Sequence, residues 1–106
     1  MNRSAVWLLT VVAGCSSAKY TPTGTVPPRA PREPERLVVT MAGETPPRDA
    51  VVAGRLHASG GDAATSVEML RKEAARNGLD GVMEVQCAPA GSADEGSCDG
   101  KGFVYR

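Results

Sequence analysis

Hydrophobic residues form one continuous block near the N-terminus and several shorter, alternating groups after residue 36. Among the latter, Arg36-Leu37-Val38-Val39-Thr40-Met41 is β-branched and bounded by Ala42-Gly43 and Pro46-Pro47, which predicts a first strand. Ala50-Val51-Val52-Ala53-Gly54-Arg55-Leu56-His57-Ala58 predicts a second, with Val52, Leu56 and Ala58 on one face and Arg55 and His57 on the other. Thr65-Ser66-Val67-Glu68 has the T-x-x-E form of a capping box and predicts a helix start. At helical spacing Ala63, Val67, Leu70 and Ala74 share a stripe, and Arg71, Lys72, Glu73 and Arg76 fall largely outside it, as a solvated face. Asn77-Gly78-Leu79 ends the helix, with Gly78 suited to the left-handed position and Leu79 able to fold back onto Ala74. Gly81–Cys87 then predicts a third strand, with Met83, Val85 and Cys87 on one side, and Gly102-Phe103-Val104-Tyr105-Arg106 a fourth. The expected fold is α+β: one helix packed on one face of a sheet of about four strands, spanning 36–106. A strand, helix and strand joined by short loops give a right-handed crossover if the two strands are parallel.

The tetrapeptide Val-Val-Ala-Gly occurs twice, at 11–14 and at 51–54, in two different settings. The second copy enters the strand just described. The first closes the apolar run Ala5-Val6-Trp7-Leu8-Leu9-Thr10-Val11-Val12-Ala13, which follows Arg3 and the α-amino group. Nine residues are too few to cross a bilayer, which takes about 20. A positive start, a compact apolar block and small residues at its end are the layout of a secretory leader. Val12-Ala13-Gly14-Cys15 resembles the bacterial lipobox, whose cysteine is diacylated and becomes the new N-terminus after cleavage. The expected products are a leader over 1–14 and a lipid anchor at Cys15. Each buried methylene contributes about 0.8 kcal/mol, so two or three acyl chains hold where one would exchange. Ser16 is not the aspartate associated with inner-membrane retention, so the expected address is the outer membrane, facing the periplasm.

Residues 15–35 carry proline at 22, 27, 28, 31 and 34 and little to bury. They are expected to form a semi-stiff tether that, at about 3.1 Å per residue, would hold the domain up to about 60 Å from the bilayer. Pro28-Arg29-Ala30-Pro31-Arg32 also has the composition of a docking ligand for a proline-binding groove or for acidic headgroups; a plain spacer is the simpler reading.

Charge narrows the function classes. Lys+Arg and Asp+Glu are both 12, and 36–106 holds 8 basic against 10 acidic residues, so no field argues for nucleic acid. With one Trp, two Tyr and one Phe the core is small and calls for a covalent staple. Once Cys15 is assigned to the anchor, Cys87 and Cys98 are the remaining pair, expected as a disulfide in an oxidising periplasm. A metal held by Cys87, Cys98 and His57 is the rival arrangement, but C-x10-C matches no established zinc spacing, and neither metal nor cofactor is expected. Asp94, Glu95 and Asp99 read as a solvated acidic turn. Gly60-Gly61-Asp62 offers amides ahead of the helix and reads as a connecting turn. For catalysis His57 stands near Ser59, no neighbouring acid orients the imidazole, and no glycine-rich phosphate loop precedes the helix, so no catalytic residue is assigned.

Taken together, Val52-Ala53-Gly54, the run from Leu70 through Ala75-Arg76-Asn77-Gly78-Leu79-Asp80-Gly81 to Val82, Cys87, Cys98 and Gly102-Phe103-Val104-Tyr105 are similar to the periplasmic domain of RcsF-type envelope-stress lipoproteins and their YbjQ-like relatives. The likeness covers roughly 50–106, with a lipobox and a proline-rich basic tether ahead of it. It implies a non-catalytic sensor, adaptor or binding module whose partner is an outer-membrane or signalling protein. From the YbjQ-like side it implies an oligomeric small-ligand or metal binder. The RcsF-type domain carries four cysteines in two bridges, whereas two are left here, so redox sensing is not carried over with the resemblance.

Overall fold

The computed structural model describes residues 17–106. The leader, the lipobox and Cys15 lie outside the described residues. Five strands form, Ser17–Pro22 (β1), Val38–Met41 (β2), Ala50–Ser59 (β3), Gly81–Cys87 (β4) and Cys98–Tyr105 (β5), together with one α-helix, Ala63–Arg76 (α1), and a 3-10 turn at Pro34–Arg36. The sheet order is β1-β3-β5-β4-β2, with β2 parallel to β4 and every other pairing antiparallel. Strands β3 and β4 are therefore parallel with β5 inserted between them, so the expected strand–helix–strand crossover is a split one. Helix α1 covers one face, where Leu56, Ala58, Val82 and Val85 of the sheet and Leu70, Ala74 and Ala75 of the helix, with Leu79 just beyond its end, are all at most 2% exposed.

The α+β class and the single helix agree with the sequence pattern; the strand count is one higher. The additional strand is β1, cut from the stretch expected to be tether. Ser17 through Pro22 pair with Ser59 through Gly54. Its alternation turns Ala18 and Tyr20 toward the core and Lys19 and Thr21 to the opposite face. Tyr20 lies against Gly54, where a Cβ would meet the Thr21 carbonyl at 2.4 Å and the Tyr20 ring at 2.6 Å, so only glycine lets β1 pass this close. Beyond it, the Thr23 amide donates to the Ala53 carbonyl at 2.9 Å and the Arg32 amide to the Ala75 carbonyl at 2.8 Å. The 17–35 segment is thus a strap around the domain rather than a spacer.

The helix begins earlier than the T-x-x-E pattern places it. Asp62 is the N-cap, its carboxylate accepting the Thr65 amide at 2.7 Å, so Thr65 is a first-turn residue and not the cap. That bond holds the Asp62 carboxyl below its ordinary value. Within the helix, Leu70 and Ala74 face the core as expected, whereas Ala63 is exposed and Ser66 is fully buried with its hydroxyl donating to the Gly96 carbonyl. The C-terminus follows the sequence closely. Gly78 has φ +74°, its amide donates to Ala75, and the Leu79 amide donates to Ala74, which is a Schellman turn.

Two β-bulges change the expected facing locally, while Leu56 and Ala58 face the core and Arg55 and His57 face away as expected. Val52 pairs with Phe103 and Gly54 with Gly102, so Ala53 is extra and is buried while Val52 is only half-buried. In β4, Met83 pairs with Lys101 and Gln86 with Asp99, leaving Glu84 and Val85 opposite Gly100 alone. Glu84 takes φ +56°, and the phase change turns Val82 and Val85 inward instead of Met83 with Val85. Simple period-two counting cannot register an inserted residue.

Candidate functional site

The sheet face away from α1 is divided. At one end Phe103 is fully buried, packs edge-on against Tyr105 at 5.4 Å, and Arg48 stands 4.4 Å over the Tyr105 ring. Toward the other end the face is open and polar, forming a trough of about 950 Å³ walled on one side by the Ala42, Gly43, Glu44 and Thr45 loop.

Strand register builds the trough floor on two transverse rows, of which the last residue of the second, Met83, lies outside the trough. Lys19, His57, Asp99 and Gln86 lie opposite one another across β1, β3, β5 and β4, and Thr21, Arg55, Lys101 and Met83 form the next row. The bulge adds Glu84 to the second row, where its carboxylate meets the Lys101 ammonium at 3.0 Å. His57 Nδ1 and Asp99 Oδ1 are 2.6 Å apart, with side chains 55% and 72% exposed. An exposed pair of this kind contributes under about 1 kcal/mol to stability. Its effect is orientation: with Nδ1 bound to the carboxylate, Nε2 is the nitrogen left for other contacts.

Asp99 is therefore the acid that the neighbourhood of His57 in the sequence lacked, and it comes from 42 residues further on. It belongs to β5 and not to the acidic turn with Asp94 and Glu95. Ser59 sits at the end of β3, and among the described residues lining the trough there is no serine or cysteine beside the imidazole. Among the described residues, Lys19 and Arg55 form no ion pair, so the trough presents two unmatched cations next to the His57–Asp99 pair.

Cys87 and Cys98 are directly opposite across β4 and β5, their sulfurs 2.05 Å apart, as in a disulfide. Bonded to each other, they leave no thiolate for the alternative metal set with His57. The pair closes the 88–97 loop against the helix start, where Cys98 is fully buried. At Gly60-Gly61-Asp62 the helix amides are answered by the Asp62 carboxylate, so the turn connects and caps.

A second polar cluster sits behind the opposite end of the sheet. Asp80, directly after the Schellman turn, accepts the Tyr105 amide at 2.8 Å and the guanidiniums of Arg29 at 3.4 Å and of Arg32. Burial alone would raise the Asp80 carboxyl, but the Tyr105 amide and the two arginines outweigh it and hold the carboxyl below its ordinary value. Arg29 and Arg32, considered above as docking charges, are engaged within the fold.

No family model and no curated protein matches the chain by sequence. One solved structure is similar. The crystal structure of a Francisella virulence factor, FvfA, in its orthorhombic form aligns with a TM-score of 0.60 at 18% identity, covering 86% of this chain and 98% of that one. At that identity the likeness is one of fold alone. No helix among the described residues is long and apolar enough to cross a membrane.

Proposed function

We propose that the protein is a non-catalytic binding or sensing module of the bacterial envelope, anchored through lipid on Cys15 at the periplasmic face of the outer membrane, with the polar trough as its recognition surface. The observation that carries the binding role is the pair of cations, Lys19 and Arg55, without an ion pair among the described residues, in a cavity of about 950 Å³ where His57 pairs with Asp99, Lys101 with Glu84, and the Glu44 carboxylate accepts the Met41 amide. Carboxylate or phosphate groups suit such a surface. The anchor rests on the leader and on Val12-Ala13-Gly14-Cys15. The adaptor role, with an envelope protein as partner, rests on the RcsF-type pattern. Growth with labelled palmitate tests the anchor: label on the wild-type chain and none on Cys15→Ala is expected, and an unlabelled, soluble wild type refutes it. Pulldown from crosslinked envelopes, repeated with Arg55→Ala, tests the surface.

The trough also favours a second reading, since its volume lies within the range of small-molecule sites, about 300–1,000 Å³. On this YbjQ-like reading the domain is an oligomeric small-ligand binder. Native mass measurement separates the two: a ring with a retained small molecule supports the second, and a bare monomer supports the first.

A further inference from the structure

The strap has a consequence for how an anchored domain meets its membrane. Cys15 is two residues before the first residue of β1. With Cα atoms 3.80 Å apart along the chain, Ser17 stands at most about 7.6 Å from the acylated residue. From Ser17 onward the chain is already paired, through Ser17 opposite Ser59 to Pro22 opposite Gly54. Tyr20 Oη and Thr23 Oγ1 both donate to the Ala53 carbonyl, at 3.2 and 3.0 Å, and Arg29 and Arg32 close the strap on Asp80. No free spacer is left between anchor and fold.

The strand directions decide which end faces the lipid. Strand β1 starts, β3 and β4 finish and β5 starts at the same end of the sheet, which also bears the Cys87–Cys98 bridge and the 88–97 loop. Arg106, after the last residue of β5, is at the opposite end. At about 3.4 Å per residue the Lys19–His57–Asp99 row stands about 7 Å above the Ser17 end, and Arg106 about 31 Å above that end.

Resting on the lipid anchor proposed above, we infer that the domain sits directly on the bilayer, with the 88–97 loop turned to the headgroups and the trough opening sideways just above them. The loop carries Asp94 and Glu95 and no lysine or arginine. Its charge is complementary to headgroups that bear an ammonium, as ethanolamine lipids do, and opposes a strongly anionic leaflet. The acyl chains hold the protein down, and the short link from Cys15 to β1 keeps the 88–97 loop at the headgroups. A partner seated on the Lys19 row then lies close to the headgroups.

The chain has a single tryptophan, Trp7, and it belongs to the leader, so the processed protein has none. Ala93→Trp in the loop and Arg106→Trp at the far end, both exposed positions, then each carry one fluorophore. The acylated variants are reconstituted into ethanolamine-lipid vesicles whose chains are brominated close to the headgroup. Loss of the Ala93→Trp emission with the Arg106→Trp emission retained is expected, and a ten-residue Gly/Ser insertion between Ser16 and Ser17 restores the former. Vesicle-bound protein whose two variants are quenched alike, or not at all, overturns the orientation while leaving the anchor intact. Protein that carries no acyl group and does not float with vesicles overturns the anchor itself, and the orientation with it.

Discussion

Asp80 accepts the backbone amide of Tyr105 at 2.8 Å, which ties the residue following the helix stop to the last strand of the sheet. The same carboxylate holds Arg29 and Arg32, so one side chain fastens strap, helix end and β5. Asp80→Asn keeps an acceptor for the amide but leaves both guanidiniums, each about a third exposed, without a counter-charge. A loss of about 1.5 kcal/mol is expected in denaturant melts of the leaderless protein.

That carboxyl also sets an acid limit. Its folded pKa lies below the ordinary 3.8, so its contribution is fully present above that value and is lost as pH falls through the folded pKa. Thermal melts taken downward from neutral pH should show a steep acid limb in the wild type and a shallower one in Asp80→Asn. Parallel limbs would remove Asp80 from this role.

Legibility followed the range of each signal. The helix end and the β4 boundaries are readable because Gly78 and Gly81 act within a few residues of themselves, and the Cys87–Cys98 pairing because two cysteines remain once Cys15 is set aside. The β1 strand was not, although Ser17-Ala18-Lys19-Tyr20-Thr21 does alternate; five prolines nearby outweighed a period of only five residues. Its partner Gly54 is more than thirty positions away and marks the close approach only once the strands are side by side. Of the candidate site, the sequence marks His57, but Asp99, Lys19, Arg55 and Glu84 come together through register across four strands and a bulge, and no local spacing encodes that. Asp62 does not stand out as a cap in the sequence, because the T-x-x-E pattern starting at Thr65 competes with it.

Glu84 sits at φ +56°, in the left-handed region, where a residue with a side chain is strained by roughly 1 kcal/mol or more. Glu84→Gly should therefore keep or raise stability, by up to about 1 kcal/mol after the added freedom of the unfolded chain is counted. It also releases Lys101 from its 3.0 Å contact and makes the trough more positive. Denaturant melts check the first effect; a marked destabilisation would show that the Glu84–Lys101 pair outweighs the strain.

Removing the bridge as Cys87→Ser with Cys98→Ser should cost about 2–3 kcal/mol on the chain-entropy estimate for a loop of this size. Because Cys98 is fully buried, the serine hydroxyl adds a further penalty there. Melting the oxidised wild type with and without reductant measures the bridge separately from the substitution.

Gly54→Val places a side chain against the Thr21 carbonyl and the Pro22 Cα, both backbone atoms that can give way only if β1 itself shifts. The expected outcome is a displaced β1, read as fast amide exchange over 17–22 while the β3–β5 amides stay protected. Equal protection in both regions would mean that β1 tolerates the added bulk and that its hold on the sheet does not depend on Gly54.

The chemistry at position 15 underlies the anchor, the address and the orientation alike. Intact mass measurement of the chain isolated from cell envelopes tests it directly. A protein that begins at Cys15 and carries a thioether-linked diacylglycerol is the predicted result. A chain retaining Met1, with the Cys15 sulfur unmodified, would contradict the anchor, the outer-membrane address and the bilayer-facing loop together.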